Sequence, residues 1–290
     1  MIIHRVVRKA KEMKTGNGIN DEDEKRVIES DSQIIRNVAY GPERAQTLDI
    51  YLPYNRSVSS TKILVIIHGG GFNSGSKDEL TNYIRPINER LHDYAFFNIT
   101  YRQATTADTL FPTQENDVKA ALQFIIDHSA EYCISKKMVL LGVSAGGLLA
   151  LLQGYKCKEP AVPEAIISFF GPTDLVELYK RPLNPLVPLT LRQVTGTTPH
   201  ENPAIYMESS PVNFVTADSP PTLVFQGGLD PIVNVEQQIA LQKRLTSAGV
   251  RNEFIFYPNE GHGWRGEAMI DSFNNIETFL NKRCTLQTLR

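Results

Sequence analysis

A serine lies at the centre of the motif Gly-Val-Ser-Ala-Gly at residues 142–146. An apolar run at 137–141 precedes the motif and another at 148–152 follows it. This pattern predicts a tight turn between a buried strand and a helix, which exposes the serine side chain. A serine hydroxyl is a weak nucleophile until a base takes its proton and nearby amides stabilise the developing oxyanion. We therefore predict Ser144 as a nucleophile and look for its partners.

The best candidate for the base is His262, which lies between Gly261 and Gly263 directly after a strand-like segment. Flanking glycines let a loop bring an imidazole close to another part of the backbone. The other five histidines lie in a charged N-terminal segment, at predicted helix ends, in an insertion or beside a glycine run. We interpret His262 as the general base.

A carboxylate is expected on a loop between the serine and the histidine, where it would set the imidazole tautomer. Asp230 fits because it follows the apolar segment 222–225 after two glycines. Asp174 also follows a predicted strand, and Asp218 lies in a turn-like stretch. Loops and helix caps commonly contain aspartate for structural reasons, so all three are candidates, and Asp230 is preferred.

Amide donors for an oxyanion are predicted in the His-Gly-Gly-Gly-Phe run at 68–72, which follows the β-branched segment 63–67. Glycines let the backbone approach a substrate without obstruction by Cβ. We predict Gly70, Gly71 and Ala145 as the donors.

Neighbouring residues receive supporting roles. We interpret His68 as shaping the loop and predict that Phe72 and Trp264 contact the substrate. A phosphate loop is an alternative for the glycine run, but Ser76 stands where lysine is required. No spacing typical of a metal site is present, so we predict no metal and no cofactor.

The elements that must position these residues alternate along the chain. Strands are predicted near 34–40, 47–52, 63–67, 94–100, 137–141, 164–170, 222–225 and 252–257, and helices near 77–92, 116–128, 148–152, 236–248 and 267–283. The first two strands read as an antiparallel pair. The alternation predicts an α/β fold with a mostly parallel central sheet and helices on both faces.

A proline-rich stretch at about 174–219 interrupts the alternation without a clear strand. We interpret it as a cap insertion over the site, with a surface excursion as the alternative. The domain that carries these residues is expected over 34–290. Residues 1–33, basic and then acidic, are predicted to form an amphipathic or partly disordered extension.

Composition limits the classes of partner. The chain has 290 residues, 41% hydrophobic and 21% charged, with a net charge of −2. These values are ordinary for a globular protein and favour neither nucleic acid nor an anionic membrane surface. No apolar run is long enough to span a bilayer. Three cysteines and no recognisable secretory signal favour a cytoplasmic location, with secreted or periplasmic locations left open.

The motifs taken together resemble the α/β-hydrolase fold, and more narrowly the esterase and lipase branch similar to hormone-sensitive lipase and to bacterial feruloyl or acetyl-xylan esterases. The matching segments are 48–53, 68–72, 101–102, 111–112, 117–121, 142–147, 210–213 and 261–263. Many relatives of hormone-sensitive lipase have aspartate where this chain has Val143 and tryptophan where it has Phe72. These departures favour the feruloyl-esterase-like group.

The resemblance implies a serine carboxylester hydrolase that acts through an acyl-enzyme on small to medium soluble esters. The same machinery occurs in kynurenine formamidases and in peptidases of the prolyl oligopeptidase type, so an amidase or peptidase is the alternative. A non-catalytic binding protein is a further alternative, although such proteins typically lack a triad member. The oligomeric state stays open, with a homodimer as one option.

Overall fold

The computed structural model describes residues 32–157 and 159–287, which contain one eight-stranded sheet. Its strands are β1 (Gln33–Ala39), β2 (Thr47–Leu52), β3 (Lys62–Ile67), β4 (Tyr94–Ile99), β5 (Met138–Val143), β6 (Ala165–Phe169), β7 (Thr222–Gly227) and β8 (Asn252–Tyr257). Their order is β1-β2-β4-β3-β5-β6-β7-β8. The β1–β2 and β2–β4 pairs are antiparallel, and the other pairs are parallel. The loops that follow β3, β5, β6, β7 and β8 therefore meet at one edge of the sheet.

Helices cover both faces of the sheet. They are α1 (Thr81–Asn88), α2 (Thr113–Asp127), α3 (Ala145–Tyr155), α4 (Leu175–Lys180), α5 (Val187–Thr195), α6 (Pro203–Glu208), α7 (Val235–Ser247) and α8 (Gly266–Gln287). Helices α1 and α8 share one apolar core with Leu64 and Ile66 of β3. Helices α2, α3 and α7 share the other core with Ile63 and Val65. The continuous apolar run of β3 thus reflects burial on both sides of a parallel strand.

The segment between β6 and β7 differs from the irregular insertion expected from its prolines, because it is helical. It contains α4, α5, α6 and the 3-10 turn Pro211–Phe214. Pro188, Pro203 and Pro211 each lie in the first turn of a helix, where no intrahelical N–H bond is lost. These three prolines begin helices, so the expectation of an irregular insertion is wrong for this segment.

The sheet, its helices and the antiparallel start of the chain agree with the sequence-based prediction. One predicted helix is shorter, since residues 77–92 form a 3-10 turn at Lys77–Leu80 followed by α1. Residues 1–31, most of the predicted N-terminal extension 1–33, lie outside the described residues, and β1 begins at Gln33. No helix in the described ranges is long and apolar enough to cross a membrane.

Candidate active site

Ser144 lies on a sharp turn between β5 and α3, with φ of 55° and ψ of −120°. A non-glycine residue rarely adopts this positive φ, so the turn is strained. The turn is possible because small residues surround it. A Cβ on Gly142 would overlap the Gly146 carbonyl oxygen, and a Cβ on Gly146 would overlap the Ile67 carbonyl oxygen. The Ser144 amide donates to the Phe169 carbonyl at 2.9 Å, which ties the turn to β6.

Three predicted residues from separate loops meet in one hydrogen-bonded chain. Ser144 Oγ lies 2.8 Å from His262 Nε2, and His262 Nδ1 lies 2.8 Å from Asp230 Oδ2. A carboxylate only accepts hydrogen bonds, so Nδ1 carries the hydrogen and Nε2 is left to accept the serine proton. The His262 ring also packs 4.6 Å from the Phe170 ring, which restricts its rotation.

The Asp230 carboxylate is almost fully buried, and four donors satisfy it. Oδ1 accepts the amides of Ile232 and Val233 at 2.8 and 3.0 Å. Oδ2 accepts from Gln226 Nε2 at 2.9 Å as well as from His262. Burial alone would raise the pKa of Asp230, but His262 and the two amides outweigh it and leave that pKa below its usual value. Asp230 therefore stays ionised beside the imidazole.

Gln226 was not singled out from the sequence. It is the penultimate residue of β7, is fully buried, and donates to Asp230 and to the Val233 carbonyl at 3.0 Å. A polar residue at the end of an otherwise apolar strand was the only signal in the sequence that could have revealed this positioning role.

The two alternative acids lie in other surroundings. Asp174 caps the N-terminus of α4, where its side chain accepts the Glu177 amide at 3.0 Å. Asp218 is an exposed residue of the turn before β7.

The predicted amide donors border the serine. Gly69 lies against Val143 and Ser144, which brings the loop after β3 over the nucleophile. Gly71 lies in the left-handed region with φ of 59°. Among the described residues, neither the Gly70 nor the Gly71 amide donates a hydrogen bond. Ala145 is the first residue of α3, where a helix leaves its amide free.

His68 is a buried neutral residue that shapes the loop. Its ring stacks on Tyr101 at 4.2 Å, and Nδ1 donates to the Gly69 carbonyl at 2.7 Å. Its Nε2 is buried without a partner among the described residues. Desolvation lowers the pKa of His68 from 6.5 to about 4.

Folding stability should therefore depend on pH through His68. In the unfolded chain His68 takes up a proton near pH 6.5, whereas in the folded chain it does so only near pH 4. The contribution of neutral His68 to the free energy of unfolding is therefore complete above pH 6.5 and is lost as the pH falls toward 4. The expected loss in the free energy of unfolding is about 3 kcal/mol. Urea unfolding of wild type, His68→Asn and the exposed control His92→Gln between pH 7 and 4 measures it. An NMR titration showing His68 protonation near pH 6.5 would contradict this expectation.

A cavity of about 1400 Å³ borders Ser144, and two groups of side chains from different elements line it. We call the part of the cavity beside each group an arm. The cap arm is defined by Leu178, Leu186, Val187, Thr190 and Leu191 of the cap segment. The second arm is defined by residues in or next to α1 and α8, which are Glu79, Asn82, Tyr83, Arg90, Arg265, Met269, Ile270 and Phe273. The cap segment thus forms part of the cavity wall.

Phe72 and Trp264 also border the cavity, but packing holds both side chains. Phe72 is 3% exposed and contacts the edge of Phe111, with ring centroids 5.7 Å apart. Trp264 is 5% exposed, packs 5.2 Å from Phe170 and donates Nε1–H to Ser272 Oγ at 2.9 Å. Each presents only a small part of its surface to a ligand.

A group of three or more side chains suited to binding a metal ion is absent from the part of the chain that the structure describes.

The sheet order, the serine turn between β5 and α3 and the loops that carry Asp230 and His262 define an α/β hydrolase. The model of the BD-FAE family matches residues 48–245, and the chain belongs to this family.

Solved structures share the fold. A truncated carbohydrate esterase from gut microbiota superimposes with a TM-score of 0.75 at 24% identity, covering 89% of this chain and 98% of that one. Esterase 2 of Thermogutta terrifontis, phosphonylated by sarin, gives a TM-score of 0.72 at 22% identity, covering 87% and 94%.

Sequence relatives include Esterase LipC of Mycobacterium tuberculosis, which is 26% identical over 243 residues. That match covers 79% of this chain and 59% of LipC. This chain therefore spans little more than half the length of that relative.

Proposed function

We propose that this protein is a serine carboxylester hydrolase acting on small to medium esters. One observation carries the proposal: the hydrogen-bonded chain from Ser144 Oγ through His262 to Asp230, at the base of a cavity. Membership of the BD-FAE family and similarity to proteins named esterases support it.

The mechanism follows from the donors and acceptors. His262 Nε2 accepts the Ser144 proton as Oγ bonds to the ester carbonyl carbon. The carbonyl oxygen becomes an oxyanion, which the amides of Gly70, Gly71 and Ala145 would stabilise. Asp230 stabilises the imidazolium and keeps its own charge.

The acyl-enzyme then forms and is hydrolysed. The bond from carbon to the alkoxy oxygen breaks, and that oxygen takes the proton from His262 Nε2. Water next gives a proton to His262 and attacks the acyl carbon, and the imidazolium returns the proton to Ser144 Oγ as the acid leaves. The leaving oxygen must therefore lie beside His262 Nε2. In the proposed orientation the alcohol half extends toward α8 and the acyl half toward the cap.

The acyl preference should peak at short chains, about C2 to C6, because each methylene adds about 0.8 kcal/mol only while the cap arm has room. We expect kcat/KM for p-nitrophenyl esters in detergent-free buffer to rise over the first carbons and then fall. Leu186→Ala should flatten the rise, because Leu186 lines the cap arm.

Leu183→Ala is the matched control, since Leu183 is similarly exposed on the same segment and does not line the cavity. A rate that climbs to C16 with activation at an oil–water interface would contradict the short-chain preference. Faster turnover of aryl amides than of the matching esters would instead support an amidase.

A further inference from the structure

The arm near α1 and α8 contains two guanidinium groups that form no ion pair with a described carboxylate. Three charged side chains line it: Glu79 from the 3-10 turn before α1, Arg90 from the loop after α1, and Arg265, the residue before α8. Arg90 donates to the Asn274 side chain at 2.9 Å and to the Pro86 carbonyl at 2.8 Å, and both partners are neutral. Arg265 forms no ion pair or hydrogen bond with the described residues. Two guanidinium groups thus face one carboxylate in this arm.

Aromatic rings accompany the guanidinium groups in this arm. Arg90 lies over the Phe273 ring, 5.9 Å from its centroid, and Phe273 packs 5.8 Å from Tyr83. Burial raises the pKa of Tyr83, and the positive charge of Arg265 partly offsets this effect. Arg265 is exposed, so added salt screens its charge.

The position of this arm relative to His262 decides which half of an ester it receives. Gly263, Trp264 and Arg265 follow His262 directly in the chain and lead into α8. The alkoxy oxygen must lie beside His262 Nε2 to take its proton. These three residues also line the cavity, so the second arm adjoins the position of the alkoxy oxygen.

Resting on the proposed esterase function, we propose that this arm selects esters whose alcohol half carries a carboxylate, with Arg265 as the principal specificity-determining residue. A guanidinium group presents paired N–H donors that match the two oxygens of a carboxylate. Arg90 adds a second positive charge from the α1 side of the arm. The cap arm, lined by apolar side chains and Thr190, then receives the uncharged acyl half.

Matched acetyl esters test this assignment. The anionic series is 2-acetoxyacetate, 3-acetoxypropanoate and 4-acetoxybutanoate, and each carboxamide counterpart is nearly isosteric and neutral. At neutral pH and low salt, wild type should prefer the carboxylate by about 3- to 10-fold in kcat/KM at one length or more. The preference should lie in KM, because the charge is bound in the ground and transition states alike. Added salt should reduce it.

Substitutions separate Arg265 from general effects of charge. Arg265→Gln should abolish the preference and Arg265→Glu should reverse it, because kcat/KM for the carboxylates should fall more than kcat/KM for the carboxamides. Arg85→Gln is the control, because Arg85 lies exposed on α1, pairs with Glu89 and does not line the cavity.

Any of the following results would overturn the assignment: equal kcat/KM for both series in wild type, equal losses on both series in Arg265→Gln, or the same loss in Arg85→Gln. A preference appearing only when the carboxylate is on the acyl half, as in monomethyl succinate against methyl succinamate, would also overturn it. If wild type hydrolyses no acetyl ester, including p-nitrophenyl acetate, the proposed function fails. If wild type hydrolyses the carboxylate and carboxamide series equally well, the assignment of this arm fails but the proposed esterase function stands.

Discussion

Ser144→Ala is expected to lower kcat by at least about 10³-fold while the protein stays folded. Alanine removes the oxygen that lies 2.8 Å from His262 Nε2, so no acyl-enzyme can form. Residual activity would come from the backbone amides that stabilise the oxyanion and from substrate binding, because both still favour attack by water on the ester. The positive φ of Ser144 costs alanine no more than serine, so the turn should persist.

Steady-state kinetics on p-nitrophenyl acetate and labelling by a fluorophosphonate probe measure this effect. Ser247→Ala is the control, because Ser247 is an exposed serine at the end of α7. The control should keep full turnover and full labelling. Labelling of another residue, with Ser144 unmodified, would show that the nucleophile lies elsewhere.

Asp230→Asn is expected to lower kcat by about 10⁴-fold, through the wrong imidazole tautomer. Oδ1 accepts two backbone amides, so the asparagine carbonyl should take that position. Its NH₂ group then faces His262 Nδ1, which must become an acceptor. The ring hydrogen moves to Nε2, and that nitrogen can no longer take the serine proton.

Asp174→Asn is the matched control, because it makes the same change at the other strand-end aspartate. The Asp174 side chain caps α4 by accepting a hydrogen bond from the Glu177 amide, and an asparagine side chain can accept the same bond. We expect less than a twofold change in kcat for this variant. Loss of activity in Asp174→Asn with Asp230→Asn fully active would assign the acid role to Asp174.

Much of the local structure could be predicted from the sequence, because the signals are short in range. The Gly-x-Ser-x-Gly motif between apolar runs is sterically suited to one turn, and residues 63–67 read as a strand buried on both faces. The cap shows the limit of such signals. Proline density suggested irregular chain there, whereas prolines such as Pro188 and Pro203 begin helices.

The sequence by itself determined the order of strands and helices and the residue types that a serine hydrolase requires. Which side chains meet was decided by the tertiary structure, since the loops after β5, β7 and β8 come together only when the parallel strands align. Gln226 and Asp230 are four residues apart and meet through the turn after β7, whereas Arg90 and Arg265, which line one arm, come from distant parts of the chain. No periodicity or motif encodes such pairs, because their contacts depend on how α1 and α8 pack on the sheet.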